Sequence, residues 1–258
     1  MKLGLVLSGG GARGIAHVGV LKALEELGIE VDVIAGTSAG SIVGAFYAAG
    51  LNSKEIWEIL EKSSFIKAFK LSLPKKGFIE FKYLKGILNK HVKVDDFAIL
   101  KKPLYVTATN LNSGKIEIFN SGPLFNPIIA SASIPIIFKP IEMNGNNYLD
   151  GGLKMNFPVR AIRNMCNIII GVNLVPRVEV SNEKIKGFSS VSTRCLDISV
   201  LNNIEKDIPL CDILIEPQEL YSYSRLNFAY NKKVFELGYN ATIAKKEELL
   251  EAQNKVVR

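Results

Sequence analysis

KLGLVLSGGGARGIAHVGVLKALEELGIEVDVIAGTSAGSIVGAFYAAG, residues 2–50, is the stretch from which the fold is read. Residues 2–7 form a short apolar run that predicts a buried strand. Residues 8–14 follow as a glycine-rich loop. Val18, Leu21, Leu24 and Leu27 then recur at helical spacing, so residues 15–27 predict a helix that Gly28 stops. A second strand is expected over 31–35, a tight turn over 36–40, and a helix of small residues over 41–49 that ends at Gly50. Strand, helix, strand and helix joined by short loops predict an α/β fold, with helices layered on a mainly parallel sheet.

Working outward, Asn52 with Glu55 three residues on predicts a helix start, running to about residue 61. A further helix is expected over 80–89, and strands over 104–110 and 115–119 around the turn Asn112-Ser113-Gly114. Residues 168–175 and 212–215 read as strands, and 228–256 as a long helix with a break near Gly238. No repeat or linker divides the chain, so one domain over 1–258 is expected, with 62–102 as an insertion or cap.

Of the 258 residues, 48% are hydrophobic, enough for a sizeable core. No apolar run reaches the roughly 18 residues that a membrane span needs; the longest candidate, 126–138, carries Pro127 and Pro135. The apolar run at 3–7 stops at the glycine loop, and Arg13 follows, which does not read as a signal peptide. Cys166, Cys195 and Cys211 are too few for a disulfide framework and lack metal-ligand spacing, so a reducing cytoplasm is expected.

The charge is concentrated. Residues 62–102 hold eleven lysines against Glu80, Asp95 and Asp96, a net +8 in a chain of net +7. Phe65, Phe69, Phe78, Phe81, Tyr83 and Phe97 are interleaved with them. Such a pattern suits nucleic acid, an anionic membrane surface, or a plain solvated face over an apolar stripe. The absence of arginine from the segment speaks against nucleic acid, where guanidinium forks are favoured.

Three elements carry chemistry. In Gly9-Gly10-Gly11-Ala12-Arg13-Gly14, consecutive glycines let backbone N–H groups converge on one point ahead of a helix. That suits a phosphate or the oxyanion of an acyl transfer. A dinucleotide would call for an acid at the end of the second strand; Asp32 stands at its beginning. Gly36-Thr37-Ser38-Ala39-Gly40 matches G-x-S-x-G at a strand-to-helix junction, where a sharp turn presents a serine hydroxyl. Its structural alternative is a small-residue turn. Asp150-Gly151-Gly152 puts an acid before two glycines, as a plain turn also does.

A nucleophilic serine needs a base. The chain has two histidines: His17, on the strand-facing side of the first helix and read as a core residue, and His91, in the lysine-rich region and read as exposed. Neither follows a late strand after an acid, so a Ser-His-Asp triad is not expected.

Together, and in this order, the three elements resemble the patatin-like phospholipase family. Ala130-Ser131-Ala132-Ser133-Ile134-Pro135 resembles its segment preceding the acid. The resemblance covers most of residues 1–175 and is weak in the lysine-rich stretch and beyond about 180. It implies a three-layer α/β/α sandwich and a Ser-Asp dyad, with Ser38 as nucleophile and Asp150 taking its proton. It also implies an oxyanion hole from Gly10, Gly11 and Ala12, supported by Gly9, Arg13, Gly14, Gly36, Gly40, Gly151 and Gly152. Arg13 is read as fixing the loop, attracting a lipid phosphate, or forming a structural ion pair. No metal or cofactor is expected. The expected substrate is a phospholipid or lysophospholipid ester, cleaved through an acyl-enzyme. The expected location is cytoplasmic, at the inner face of a membrane, with residues 62–102 docked on anionic lipid. The competing reading is a non-catalytic lipid- or partner-binding module on the same fold.

Overall fold

The structure, a computed structural model, describes residues 1–62 and 82–257. β1 (Leu3–Leu7) leads through the glycine loop and a 3-10 turn at Gly11–Gly14 into α1 (Ile15–Glu26). β2 (Val33–Thr37) runs straight into α2 (Ala39–Ala48), and α3 (Ser53–Lys62) follows. β2 extends two residues further than expected because Gly36 and Thr37 pair with β3 (Leu104–Asn110) at Val106 and Thr107. The start of α3 is the reciprocal box read from sequence: Asn52 N–H donates to Glu55 at 2.9 Å, and Glu55 N–H to the Asn52 side chain at 2.9 Å.

α4 (Lys82–His91) lies within the expected cap; residues 63–81 of that segment, and the expected helix start at 80, lie outside the described residues. After β3 come β4 (Ile116–Phe119), α5 (Phe125–Ser131), β5 (Ile141–Met143) and β6 (Asn146–Asp150). The chain continues through β7 (Ile168–Val172), α6 (Phe188–Ile204), β8 (Ile213–Ile215), α7 (Asn231–Ile243) and α8 (Lys246–Val257). β7 is shorter than expected because the Asn173 side chain turns back to accept the Val175 N–H at 3.1 Å. The C-terminal helical stretch breaks at 244–245, not near Gly238. Gly238 lies inside α7, where a Cβ would stand 2.1 Å from the Ala16 carbonyl, so it is the contact point with α1 and not a break.

Among the described residues the strands form one eight-stranded sheet, in the order β5-β6-β3-β2-β1-β7-β8 with β4 on β3. The pairs β1–β2, β1–β7, β2–β3 and β7–β8 are parallel. Side-chain alternation divides the core. Leu3, Leu5, Leu7, Ile34, Ile170 and Val172 face a cluster with α1, α2, α3, α4, α5, α7 and α8. Val6, Val33, Ala35 and Ile169 face a second cluster with Phe157, Val159, Ile162 and α6. The result is an α/β/α sandwich around a mixed, mainly parallel sheet.

One feature of the register brings distant residues together. β4 pairs with β3 from Val106 to Thr109, so it occupies one whole edge of that segment. The opposite edge is shared: Thr37 of β2 lies against Thr107, and Asp150 of β6 against the next residue, Ala108. β2 is parallel to β3 and β6 antiparallel, so the two strands run toward each other and their C-terminal ends meet.

Candidate active site

Ser38 stands where β2 passes into α2, with φ 53° and ψ −122°. Positive φ in a non-glycine residue is strained backbone, held here by the packing around it. A Cβ on Gly36 would lie 2.6 Å from the Gly40 carbonyl, and one on Gly40 would lie 2.1 Å from that of Leu7. The turn therefore closes on itself and against β1 only with glycine at both places. The Ser38 N–H donates to Ser131 Oγ at 2.8 Å, and its carbonyl accepts Ser41 Oγ at 2.7 Å. Below it, Thr37 Oγ1 donates to the Met155 carbonyl at 2.9 Å and lies 2.6 Å from Thr107 Oγ1.

Asp150 ends β6 and is 7% exposed. Its carboxylate accepts the Gly152 N–H at 2.7 Å. Burial pushes its pKa up to about 6, while the bonds from Ser38 and Gly152 and the charge of Arg225 pull the other way. Gly151 has no side chain because a Cβ would lie 2.4 Å from Thr107 Oγ1. His17 is the core residue expected: it is fully buried, its Nε2 donates to the Ser8 carbonyl at 2.8 Å, and burial depresses its pKa to about 4. His91 is half-buried where exposure was expected, because its ring stands edge-on to Phe46, 6.4 Å between centroids.

The glycine loop lies beside the serine: a Cβ on Gly9 would be 3.1 Å from Ser38 Cβ, and one on Gly14 2.5 Å from Ala39 Cβ. The Gly10 and Gly11 N–H groups donate to no other described residue, whereas the Ala12 N–H donates to the Arg225 carbonyl at 2.8 Å. Ala12 therefore drops out of the expected oxyanion donors, since its only proton is engaged. Gly11 takes φ 58°, and a Cβ there would meet the same Arg225 carbonyl at 2.3 Å.

Among the described residues Arg13 forms no ion pair and ties the loop to backbone carbonyls. Its guanidinium donates to the carbonyls of Tyr223 at 2.8 Å, Leu174 at 3.1 Å and Tyr221 at 3.3 Å. Burial, with the charge of Arg225, lowers its pKa to about 10. Arg225 itself is paired with Asp197 of α6.

Sequence reading missed Asn156, Asp197 and Arg225, and gave Ser131 no role beyond its place in the segment 130–135. Asn156 follows the acid motif closely, but no spacing rule marks it. Arg225 reaches the site from a segment without periodicity.

Beside the glycine loop lies an apolar pocket, partly open to solvent and of about 490 Å³ with that open space included. It begins at Gly11 and Ala39 and is walled by Ile42, Phe46, Leu60, Leu84, Ile87 and Phe228. Among the described residues, no three His, Cys, Asp or Glu side chains gather as a metal-binding group, and no helix is long and apolar enough to cross a membrane.

Comparison with known proteins agrees with this geometry. Over 272 residues the chain is 30% identical to the lysophospholipase nte1 of Aspergillus fumigatus, covering 92% of this chain and 18% of that protein. It is 37% identical over 182 residues to the lysophospholipase NTE1 of Saccharomyces cerevisiae, covering 67% of this chain and 11% of the relative. The chain thus spans only a small part of the length of these relatives. In fold it is similar to VipD from Legionella pneumophila, with a TM-score of 0.60 at 18% identity over 98% of this chain and 67% of that one. It is also similar to human GIVD cytosolic phospholipase A2, solved with methyl gamma-linolenyl fluorophosphonate, with a TM-score of 0.52 at 12% identity over 98% and 58%. Residues 5–162 match the family described as patatin-like phospholipase. A glycine loop, a strained serine turn and a buried aspartate on one α/β/α sheet, with this match over more than half the chain, place the protein in the patatin-like phospholipase family.

Proposed function

We propose that the chain is a serine acyl hydrolase that cleaves carboxylic esters of phospholipids or lysophospholipids through Ser38 and Asp150. The observation that carries this reading is the register that brings Asp150, at the end of β6, to the end of β2 beside the strained turn of Ser38, with burial raising the carboxylate's pKa to about 6. A carboxyl at its ordinary value of about 3.9 is a poor base; one lifted by burial accepts a proton more readily and is still ionised at neutral pH.

Ser38 Oγ attacks the ester carbonyl carbon as its proton passes to Asp150. The oxyanion that forms is stabilised by the free N–H groups of Gly10 and Gly11. Loss of one such donor costs roughly 3 kcal/mol in other enzymes. Collapse expels the alcohol, which leaves with the proton held by Asp150, and an acyl ester remains on Ser38. Water then attacks that ester, giving its proton to Asp150; collapse returns the proton to Ser38 and releases the fatty acid. The apolar cavity beside Gly11 and Ala39 receives the acyl chain, each buried methylene contributing about 0.8 kcal/mol.

Residues 1–258 act as one unit in this reading. The lysines of residues 62–102, a segment partly outside the described residues, dock on anionic lipid in this reading, each contributing on the order of 1 kcal/mol near the surface. The protein then works from the cytoplasmic side as a peripheral enzyme. Vesicle binding insensitive to both anionic lipid content and salt would remove the docking role.

The deciding experiment measures fatty-acid release from mixed phospholipid and lysophospholipid vesicles by wild type and Ser38→Ala. Release by wild type alone is expected, along with labelling of Ser38 by an alkyl fluorophosphonate. Equal release from both, or none from either, would overturn the reading in favour of a lipid-binding module.

A further inference from the structure

Asn156 is 3% exposed and follows the Asp150-Gly151-Gly152 turn. Its Nδ2 donates to the Gly9 carbonyl at 3.2 Å, and its own carbonyl accepts the Gly9 N–H at 3.0 Å. Ser8 Oγ donates to the same Gly9 carbonyl at 3.1 Å. Asn156 Oδ1 lies against both loops: a Cβ on Gly9 would stand 2.3 Å from it, and one on Gly152 2.8 Å. The first glycine of one motif and the last glycine of the other are thus required by a single amide between them. Asn203 of α6 holds the Asn156 backbone beside the acid loop, its side chain accepting the Asn156 backbone N–H at 2.7 Å and donating to the Gly152 carbonyl at 2.9 Å.

A trans peptide is planar, so its C=O and the following N–H point in opposite directions. Holding the Gly9 carbonyl therefore aims the Gly10 N–H the other way, away from Asn156. The next peptide is held likewise: the Arg13 N–H donates to the Gly10 carbonyl at 3.2 Å, which sets the direction of the Gly11 N–H. We infer that Asn156, strapped by Asn203, is a positioning residue that aims the Gly10 N–H and keeps the glycine loop in register with the Asp150 loop. It touches no reacting atom. The inference rests on the acyl-hydrolase reading, in which this N–H faces the oxyanion.

A misaimed donor weakens stabilisation of the transition state while leaving the apolar cavity that binds the chain. Loss of a whole oxyanion donor lowers kcat about 10²–10³-fold in other enzymes. The test uses the full chain and a soluble lysophospholipid, with Asn156→Ala, Asn203→Ala and the near-isosteric Asn156→Asp beside wild type and Ser38→Ala. For Asn156→Ala the expected result is a fall in kcat of about tenfold or more with KM little changed, at temperatures well below the thermal midpoint of the variant. Asn156→Asp, which keeps the shape but removes the N–H donor when ionised, is expected to fall alike; Asn203→Ala is expected to lose less. A folded Asn156→Ala or Asn156→Asp with wild-type kcat overturns the inference while leaving the hydrolase reading in place. A fall seen only as raised KM or lowered midpoint also overturns it, because that is a packing role. Absence of release by wild type fails the parent reading instead.

Discussion

At the scale of single residues the site turns on Asp150. Its folded pKa, about 6, exceeds the value of about 3.9 expected in the unfolded chain. The folded state therefore holds this proton more tightly. The stabilising contribution is complete below about pH 4 and is lost as pH rises through about 6. Keeping the ionised carboxylate buried at neutral pH opposes folding by about 3 kcal/mol for a shift of this size. Asp150→Asn is thus expected to abolish turnover and yet to be the more stable protein at pH 8, with the gap closing toward pH 4. Denaturant midpoints at the two pH values check this; an unchanged gap would mean that the carboxylate is not desolvated. In wild type, kcat/KM is expected to fall as pH drops through about 6, where Asp150 takes up its proton. Arg225→Gln removes a charge that lowers the pKa of Asp150, so the acid limb of the pH–rate profile is expected to move to higher pH.

At the scale of elements, α1 and α7 approach each other closely through two glycines. A Cβ on Gly19 would lie 2.1 Å from the Phe235 carbonyl, and one on Gly238 2.1 Å from that of Ala16. Both obstacles are backbone, which cannot swing aside. Gly19→Ala or Gly238→Ala gains about 1 kcal/mol of helix propensity, but overpacking of this kind costs roughly 1–3 kcal/mol. Net destabilisation is expected in urea unfolding, with catalysis at low temperature retained. These elements differ in how legible they were. β1, α1 and the start of α3 were read from apolar spacing and a capping pair, because the signals are local. β6 was not read as a strand: its place in the sheet depends on partners on β3 and β5. α6 carries apolar residues around its whole circumference, so no face announced it. α5 was hidden by Pro127, which is tolerated there because it sits in the first turn.

At the scale of the whole molecule, the apolar cavity joins the glycine loop to α2, α3 and α4. Filling it with Val43→Trp is expected to cut release from long-chain esters at least tenfold while sparing short-chain esters, as a chain-length series of soluble esters measures. Equal loss at every length would mean that the cavity does not hold the acyl chain.

The amino-acid order by itself determined the two strand–loop–helix units, their glycines and the place of the Ser38 turn at a strand-to-helix junction. These depend on contacts within a few residues, where backbone freedom and apolar spacing are decisive. Only the tertiary structure decided that the end of β6 meets the end of β2, that Ala12 gives its N–H to Arg225, and that Asn156 stands between the two glycine motifs. Each of these follows from register, above all from β2 and β6 meeting end to end along one edge of β3. Register is set by the packing of the whole sheet, and no local pattern carries it.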